Sequence, residues 1–218
     1  MNTSAHQTAA YRILSQLGST ALAFDDPYRL GQMPQQATHL QQVFDPEWIT
    51  GLPLPQAAPG QPTALIDAAD FQRDADPAAL DRAYAELPRT RLLEDAGARS
   101  DGWHSLVAIH LATVIGHRVI CTLYQSRHGD RRLGAHEDAW HGIILQLRGA
   151  KHWITWPHHR EPDQFRTEPG DVLLLPQGLL HDVDTPDHSA HMVFALTQYP
   201  LASGHHAESR EDGDRQSS

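Results

Sequence analysis

His136 and Asp138 stand directly before a long apolar run, "GIILQLRG", in a chain of 218 residues. In an extended strand, residues i and i+2 lie on one face, so both side chains can reach the same ion. A His-x-Asp pair with a distant second histidine is the usual sequence form of a two-histidine, one-carboxylate site. Such a site holds Fe(II) and leaves coordination positions open. The histidine that best completes the set is His181, which follows "DVLLLPQGLL" and its Pro-Gln-Gly turn. A buried, hydrogen-bonded structural role is the alternative for His181.

The His-x-acid pattern alone is not specific. With 16 His and 27 Asp plus Glu in 218 residues, about two such pairs arise by chance. The chain has four pairs: His128/Asp130, His136/Asp138, His159/Glu161 and His206/Glu208. Only the pair at 136 and 138 directly precedes a long apolar strand, whereas the other three lie in polar loop or tail sequence. We therefore interpret those three as solvated side chains.

Composition limits the remaining function classes. The formal net charge of −10 argues against binding to nucleic acid or to an anionic membrane, both of which favour a basic protein face. A single cysteine, Cys121, excludes an intrachain disulfide and a Cys-x-x-Cys zinc site. The N-terminus has no signal-peptide pattern, and no apolar run approaches membrane-spanning length. These observations predict a cytoplasmic protein.

The elements that must position the candidate ligands change in character along the chain. Up to about Gly116 the patterns are helical or irregular, with helix signals in "DPEWITGL", "DADPAALDRAYAEL" and "GWHSLVAIHLATVIG". After Gly116 the segments are β-branched and apolar, and turn clusters separate them. The sequence predicts a mainly β fold with flanking α-helices, an antiparallel barrel or jelly roll with N-terminal helices packed outside. We expect one domain over 1–218, with a helical part at about 10–116, a barrel at about 117–199 and disordered residues at 203–218.

The segments "HEDAWHGIILQLRGAKHW" and "EPGDVLLLPQGLLHDVDTPDHSAHMVF" resemble the JmjC-type Fe(II)- and 2-oxoglutarate-dependent oxygenases. The resemblance is to the ribosomal-oxygenase branch of protein hydroxylases. Its pattern is G-x-H-x-D, Q-x-x-G-x-K/R-x-W, P-G-D-x-L-Y-x-P-x-G-x-x-H and S-x-H. The match covers about 119–197, and several separate elements occur in the same order. It implies a double-stranded β-helix, the cupin fold, with Fe(II), 2-oxoglutarate and O2 as cofactor and cosubstrates.

The resemblance also implies roles for individual residues. His136, Asp138 and His181 match the iron ligands. Lys151 matches the cation that binds the distal carboxylate of 2-oxoglutarate, Tyr124 an active-site tyrosine near that cosubstrate, and Ser189 a hydroxyl that assists the same carboxylate.

Lys151 is the chain's only lysine. If "KHWITW" is a strand, Lys151 shares a face with Trp153 and Thr155. An ammonium inside a barrel is costly unless an anion or hydrogen-bond acceptors compensate it, and a dicarboxylate cosubstrate supplies that anion. The alternative is a lysine at a strand end that extends its ammonium into solvent.

The chain departs from the branch in two respects. The branch's protein hydroxylases are longer, with further regions after the barrel, and Thr122 replaces an asparagine that the branch often has. We therefore expect hydroxylation of an unactivated C–H bond in an amino acid, a peptide or a biosynthetic intermediate, with release of succinate and CO2. The alternatives are a metal cupin enzyme that uses no 2-oxoglutarate and a non-catalytic binding module. The substrate-binding residues, the oligomeric state and the roles of Thr122, Trp140, His141, Arg148 and His191 stay open.

Overall fold

The computed structural model describes residues 3–19, 36–56, 63–66, 70–73, 76–96, 102–157 and 161–201. The predicted disordered tail at 203–218 lies outside these ranges. No helix among the described residues is long and apolar enough to cross a membrane.

Four helices and eleven strands form the described part of the chain. The helices are α1 (Thr3–Ser19), α2 (Pro46–Gly51), α3 (Pro77–Glu86) and α4 (Trp103–Ile115). The strands are β1 (Thr38–Leu40), β2 (Thr63–Ile66), β3 (Phe71–Arg73), β4 (Thr90–Leu93), β5 (His117–Arg127), β6 (His141–Gly149), β7 (Lys151–Trp156), β8 (Asp163–Thr167), β9 (Val172–Leu175), β10 (Leu180–Asp184) and β11 (His188–Pro200).

Local sequence signals set the ends of three helices. Asp45 and Asp76 are the N-caps of α2 and α3, and each carboxylate accepts a backbone N–H bond in the first helical turn. Helix α4 ends at Gly116, which has a φ of 69°, a left-handed conformation that glycine adopts without a Cβ clash. The three helices predicted from these signals are confirmed. Helix α1 begins at Thr3, before residue 10, at which the sequence analysis placed the start of the helical part.

Two sheets face each other. The larger has eight strands in the order β1-β9-β6-β11-β5-β4-β2-β3, and the smaller has three in the order β10-β7-β8. All the strand pairs within them are antiparallel. This mainly β architecture with few helices confirms the predicted fold class.

The N-terminal part is not only helical. It contributes β1 to one edge of the large sheet and β2 to β4 to the other. These strands, and β8 and β10, were missed because they have three to five residues and, unlike the equally short β9, no run of four large apolar residues to distinguish them from loops.

Both faces of the large sheet are buried. Ile143 and Leu145 in β6 and Phe194 in β11 belong to the cluster under the helices, whereas Ile144 and Val193 belong to the cluster between the two sheets. Successive side chains of each strand point to opposite faces of the sheet, and each face packs into an apolar core. The sequences of these strands are therefore continuous apolar runs. Helices α1, α2 and α4 lie on the outer face, as predicted, and the space between the sheets contains the candidate site.

Candidate metal and cosubstrate site

The three candidate ligands come together at one point. Ligand atoms of His136, Asp138 and His181 all lie within 4.8 Å of one another. The backbones of the two histidines form an isolated antiparallel bridge, in which each N–H donates to the other's carbonyl at 2.9 Å. Residues 45 positions apart in the chain are therefore fixed side by side by main-chain bonds.

Backbone carbonyls orient the two imidazole rings. The Nδ1 of His136 lies 2.8 Å from the carbonyl oxygen of Gly134, and the Nδ1 of His181 lies 2.9 Å from that of Leu179. A carbonyl only accepts, so each Nδ1 carries a proton, and in the neutral ring the lone pair is then on Nε2. The Nε2 of His181 lies 3.6 Å from Oδ2 of Asp138. Two imidazole nitrogens and one carboxylate oxygen fit the donor set that Fe(II) takes in such triads.

Burial shifts the pKa values of two of the three candidate ligands. It raises the pKa of Asp138 to about 6, although His136 opposes the rise. It lowers the pKa of His181 to about 4; the Leu179 carbonyl opposes this and His136 adds to it. His181 is therefore neutral at neutral pH, which is the form that binds a metal. A divalent cation would compensate the cost of the buried Asp138 carboxylate.

Lys151 lies at the other end of the same cavity. Its side chain is buried, with 5% exposure, and its ammonium donates at 2.7 Å to both Ser126 Oγ and Thr185 Oγ1. The two hydroxyls also bond to each other at 2.9 Å. An ammonium has three donors, and the two hydroxyls account for two of them. No described carboxylate accepts a hydrogen bond from it, so the positive charge can serve an anion that enters the cavity.

Aromatic rings connect the two ends of the cavity. Tyr124 stacks on His191 with ring centroids 5.0 Å apart, and Trp153 lies 6.1 Å from His191 and 6.2 Å from the ligand His181. Burial raises the pKa of Tyr124, so the phenol stays protonated at neutral pH. Nδ1 of His191 has no hydrogen-bond partner among the described residues. Burial lowers the pKa of His191, and Lys151 lowers it further.

Ser189 bonds to Gln146 and not to Lys151. Its hydroxyl accepts a hydrogen bond from Nε2 of Gln146 at 2.9 Å, and it is not among the residues that line the cavity. Ser126 and Thr185 hold the lysine instead, and the sequence reasoning missed both. Ser126 could have been found because it lies two residues after Tyr124 on β5 and so shares its face. Thr185 follows β10 and had no comparable local signal.

The cavity encloses about 220 Å³. Beyond the triad its wall is formed by β2, β3 and β4 and by the segment before His136. The apolar residues of this outer part are Ile66, Phe71, Leu92 and Leu133. Glu94 and Arg132 also line it; Glu94 pairs with Arg73 at 2.6 Å and Arg132 with Asp182 at 3.5 Å.

The structure locates the five residues whose roles the sequence left open. Thr122, Trp140 and His191 line the cavity. His141 accepts a hydrogen bond from the backbone N–H of Gln177. Arg148 lies elsewhere: its guanidinium donates to the carbonyls of Ile49 and Leu52 at the end of α2 and to that of Leu147.

The other His-x-acid pairs bring no ligand set together among the described residues. His128 Nδ1 lies 3.0 Å from the carbonyl of Pro186, and Asp130 pairs with Arg127. His159 and the pair at 206 and 208 lie outside the described residues.

Comparison with known proteins gives a domain match and several partial relatives. Residues 98–203 match the family model of the JmjC domain. Ribosomal oxygenase 2 of Bos taurus is 33% identical over 107 residues, which cover 40% of this chain and 23% of that protein. The Rattus norvegicus protein of the same name is 29% identical over the same shares. This chain thus spans about a quarter of the length of these relatives.

Solved structures show the same fold. The crystal structure of Escherichia coli ycfD has a TM-score of 0.58 at 17% identity and matches 81% of this chain and 53% of that one. A structure of E. coli YcfD, a ribosomal oxygenase in complex with cobalt and 2-oxoglutarate, has a TM-score of 0.57 at 16% identity, with shares of 81% and 52%. Residues 98–203 of this chain therefore match the JmjC domain, and the chain resembles the ribosomal-oxygenase branch in sequence and in fold.

Proposed function

We propose that this protein is a Fe(II)- and 2-oxoglutarate-dependent oxygenase that hydroxylates an unactivated C–H bond and releases succinate and CO2. The observation that carries the proposal is one cavity with a His-Asp-His triad at one end and a buried lysine, unpaired with any described carboxylate, at the other. The similar YcfD structures with 2-oxoglutarate or succinic acid agree with this assignment.

In this proposal His136, Asp138 and His181 hold the iron, which when bound supplies the oxidising chemistry. The ammonium of Lys151 binds the distal carboxylate of 2-oxoglutarate. Ser126 and Thr185 hold that ammonium in place, so little side-chain freedom is lost when the anion binds. Ser189, which the resemblance assigns to the same carboxylate, is the weaker candidate for that contact because its hydroxyl bonds to Gln146.

Tyr124 and Trp153 give the middle of the cavity aromatic walls. They exclude water from the space between the lysine and the triad, which strengthens the electrostatic interactions there. The phenol of Tyr124 can donate a hydrogen bond to the cosubstrate.

The outer cavity is where we place the substrate. Its wall of β2 to β4 residues is largely apolar, which suits a side chain or a small molecule that enters from solvent. An amino acid, a peptide or a biosynthetic intermediate fits this description. The similar proteins are named ribosomal oxygenases, which favours a peptidyl group within that range.

The domain organisation and the location are also proposals. One domain is supported by the large sheet, because β1 pairs with β9 and β4 pairs with β5, so the N-terminal part extends the sheet of the barrel at both edges. A cytoplasmic location stays a prediction of the sequence.

Succinate formation tests the proposed activity. Purified protein with Fe(II), 2-oxoglutarate and ascorbate is expected to produce succinate, and His136→Ala and Lys151→Ala are expected to lose it. Failure of the wild type to bind 2-oxoglutarate after anaerobic iron loading would refute the proposal. Metal binding without 2-oxoglutarate binding would favour a different metal cupin enzyme, and absence of both would favour a non-catalytic module.

A further inference from the structure

A four-residue turn after β9, Pro176–Leu179, supports two of the three candidate ligands. The backbone N–H of Gly178 donates to the carbonyl of Asp138 at 2.9 Å. The carbonyl of Leu179 accepts the bond from Nδ1 of His181 at 2.9 Å. Gly178 has a φ of 73°, which permits the tight reversal. The position of this turn therefore fixes the backbone of one ligand and the ring of another.

His141 anchors this turn through a side chain. The backbone N–H of Gln177 donates to Nδ1 of His141 at 3.0 Å. His141 is the first residue of β6 and lies three positions after Asp138. One imidazole thus links the segment that carries Asp138 to the turn that supports His181.

The bond defines the state of the ring. Nδ1 accepts, so it holds a lone pair and the ring proton lies on Nε2. Burial lowers the pKa of His141, which keeps this acceptor available at neutral pH. The turn's other side-chain anchor among the described residues, Gln198 Nε2 to Gln177 Oε1, is exposed, where water competes for the same groups.

We infer that His141 is a positioning residue of the metal centre: its Nδ1 holds the Pro176–Leu179 turn, and through that turn it sets the distance between Asp138 and His181. It does not touch the metal. The inference rests on the proposed metal site but not on the proposed oxygenase activity.

Two substitutions separate the acceptor from the bulk of the ring. In His141→Asn the side-chain oxygen occupies the δ position and can accept from Gln177. In His141→Gln the acceptor lies one bond further out and misses it. His141→Phe keeps a ring of similar size without any acceptor, and serves as the packing control.

The experiment titrates Co(II) into the metal-free wild type and the three variants and follows the d–d absorption of the bound ion. Outer partners of metal ligands typically contribute about 10- to 100-fold in affinity. We expect losses of that size for His141→Gln and His141→Phe and a loss of less than about threefold for His141→Asn. Thermal unfolding of each metal-free variant verifies that it is folded.

Several outcomes would overturn the inference. It fails if His141→Phe binds Co(II) as tightly as the wild type, if His141→Asn loses as much affinity as His141→Phe, or if the wild type binds no Co(II). Addition of 2-oxoglutarate to the Co(II)-loaded wild type tests the proposed function separately. If 2-oxoglutarate causes no spectral change while the variants bind Co(II) with the expected affinities, the oxygenase proposal is refuted and the role of His141 stands.

Discussion

Replacement of Lys151 by methionine is expected to abolish 2-oxoglutarate binding and yet to make the ligand-free protein more stable. The ammonium is buried and bonds to two neutral hydroxyls rather than to a carboxylate. Methionine has a similar length and no charge. Ser126 and Thr185 already bond to each other, so neither hydroxyl is left without a partner.

The magnitude follows from the pKa of Lys151. Burial lowers it from 10.5 to about 8, and Arg132 adds to the shift while Asp184 and Asp130 oppose it. At 1.36 kcal/mol per pKa unit, the buried charge costs about 3 kcal/mol in the folded state. The unfolded chain keeps the ordinary pKa, so between pH 8 and 10.5 it binds more protons than the folded chain. The stability of the wild type therefore rises with pH in that window. The cost is present in full below the folded pKa and absent above the unfolded one.

Urea unfolding measures this difference. The wild type, Lys151→Met and a control, His152→Met, are compared at several pH values from neutral to about pH 10. His152 is the exposed neighbour of Lys151 in β7. We expect the Lys151→Met variant to exceed the wild type by about 3 kcal/mol at pH 7 and the excess to shrink steadily above pH 8, whereas the control is expected to follow the wild type.

Two results would refute this reasoning. A Lys151→Met protein that is less stable than the wild type at pH 7 would show that the ammonium is not a buried, uncompensated charge. An excess that does not change with pH would show that the gain comes from packing and not from the charge. Unchanged 2-oxoglutarate affinity in Lys151→Met would refute the assigned role of the lysine.

Three further predictions concern the same cavity and its support. Ser126→Ala is expected to weaken 2-oxoglutarate binding about fivefold, because it removes a hydrogen bond worth about 1 kcal/mol that orients the ammonium. Ser189→Ala is expected to change the affinity less than about twofold. Calorimetric titration compares the two variants, and a larger effect of Ser189→Ala would restore its assigned role at the carboxylate. The 2-oxoglutarate affinity of the wild type is expected to be constant below about pH 8 and to fall about tenfold per pH unit above it, because only the protonated lysine attracts the carboxylate. An affinity that does not change with pH would exclude Lys151 as the partner. Arg148→Met is expected to lower the free energy of unfolding by about 2–4 kcal/mol, because three backbone carbonyls lose a charged donor. The 2-oxoglutarate affinity of the folded variant is expected to stay unchanged. A loss of affinity without a loss of stability would assign Arg148 to the site instead.

Five of the strands around the candidate site were predictable because their signals are local. Apolar runs mark β5, β6, β7, β11 and the shorter β9, and turns such as Pro176–Gly178 separate them. The helices were predictable for the same reason: an Asp cap followed by proline and a glycine after the last turn are read within a few residues. The short N-terminal strands gave no such signal: β1 and β4 pair with barrel strands, and β2 and β3 extend the sheet from β4.

The candidate site residues also divide into those with a local sequence signal and those whose contacts depend on how the strands pack. The pair at 136 and 138 could be predicted because strand alternation relates residues two apart, and the choice among four such pairs depended on the apolar run that follows. The resemblance assigned Ser189 to the distal carboxylate of 2-oxoglutarate, but its hydroxyl bonds to Gln146. Which hydroxyls meet the ammonium depends on how β5, β7 and the end of β10 approach one another.

By itself the sequence predicted the two ends of the cavity, a His-Asp-His set and a single lysine, together with β6, β7 and β9. Only the tertiary structure decided what holds each end: Ser126 and Thr185 at Lys151, and the His141-anchored turn at the triad. The physical reason is the range of the interactions. Alternation, capping and turn chemistry act within a few residues, whereas a hydrogen bond between residues 25 or 36 positions apart exists only after the sheets have packed.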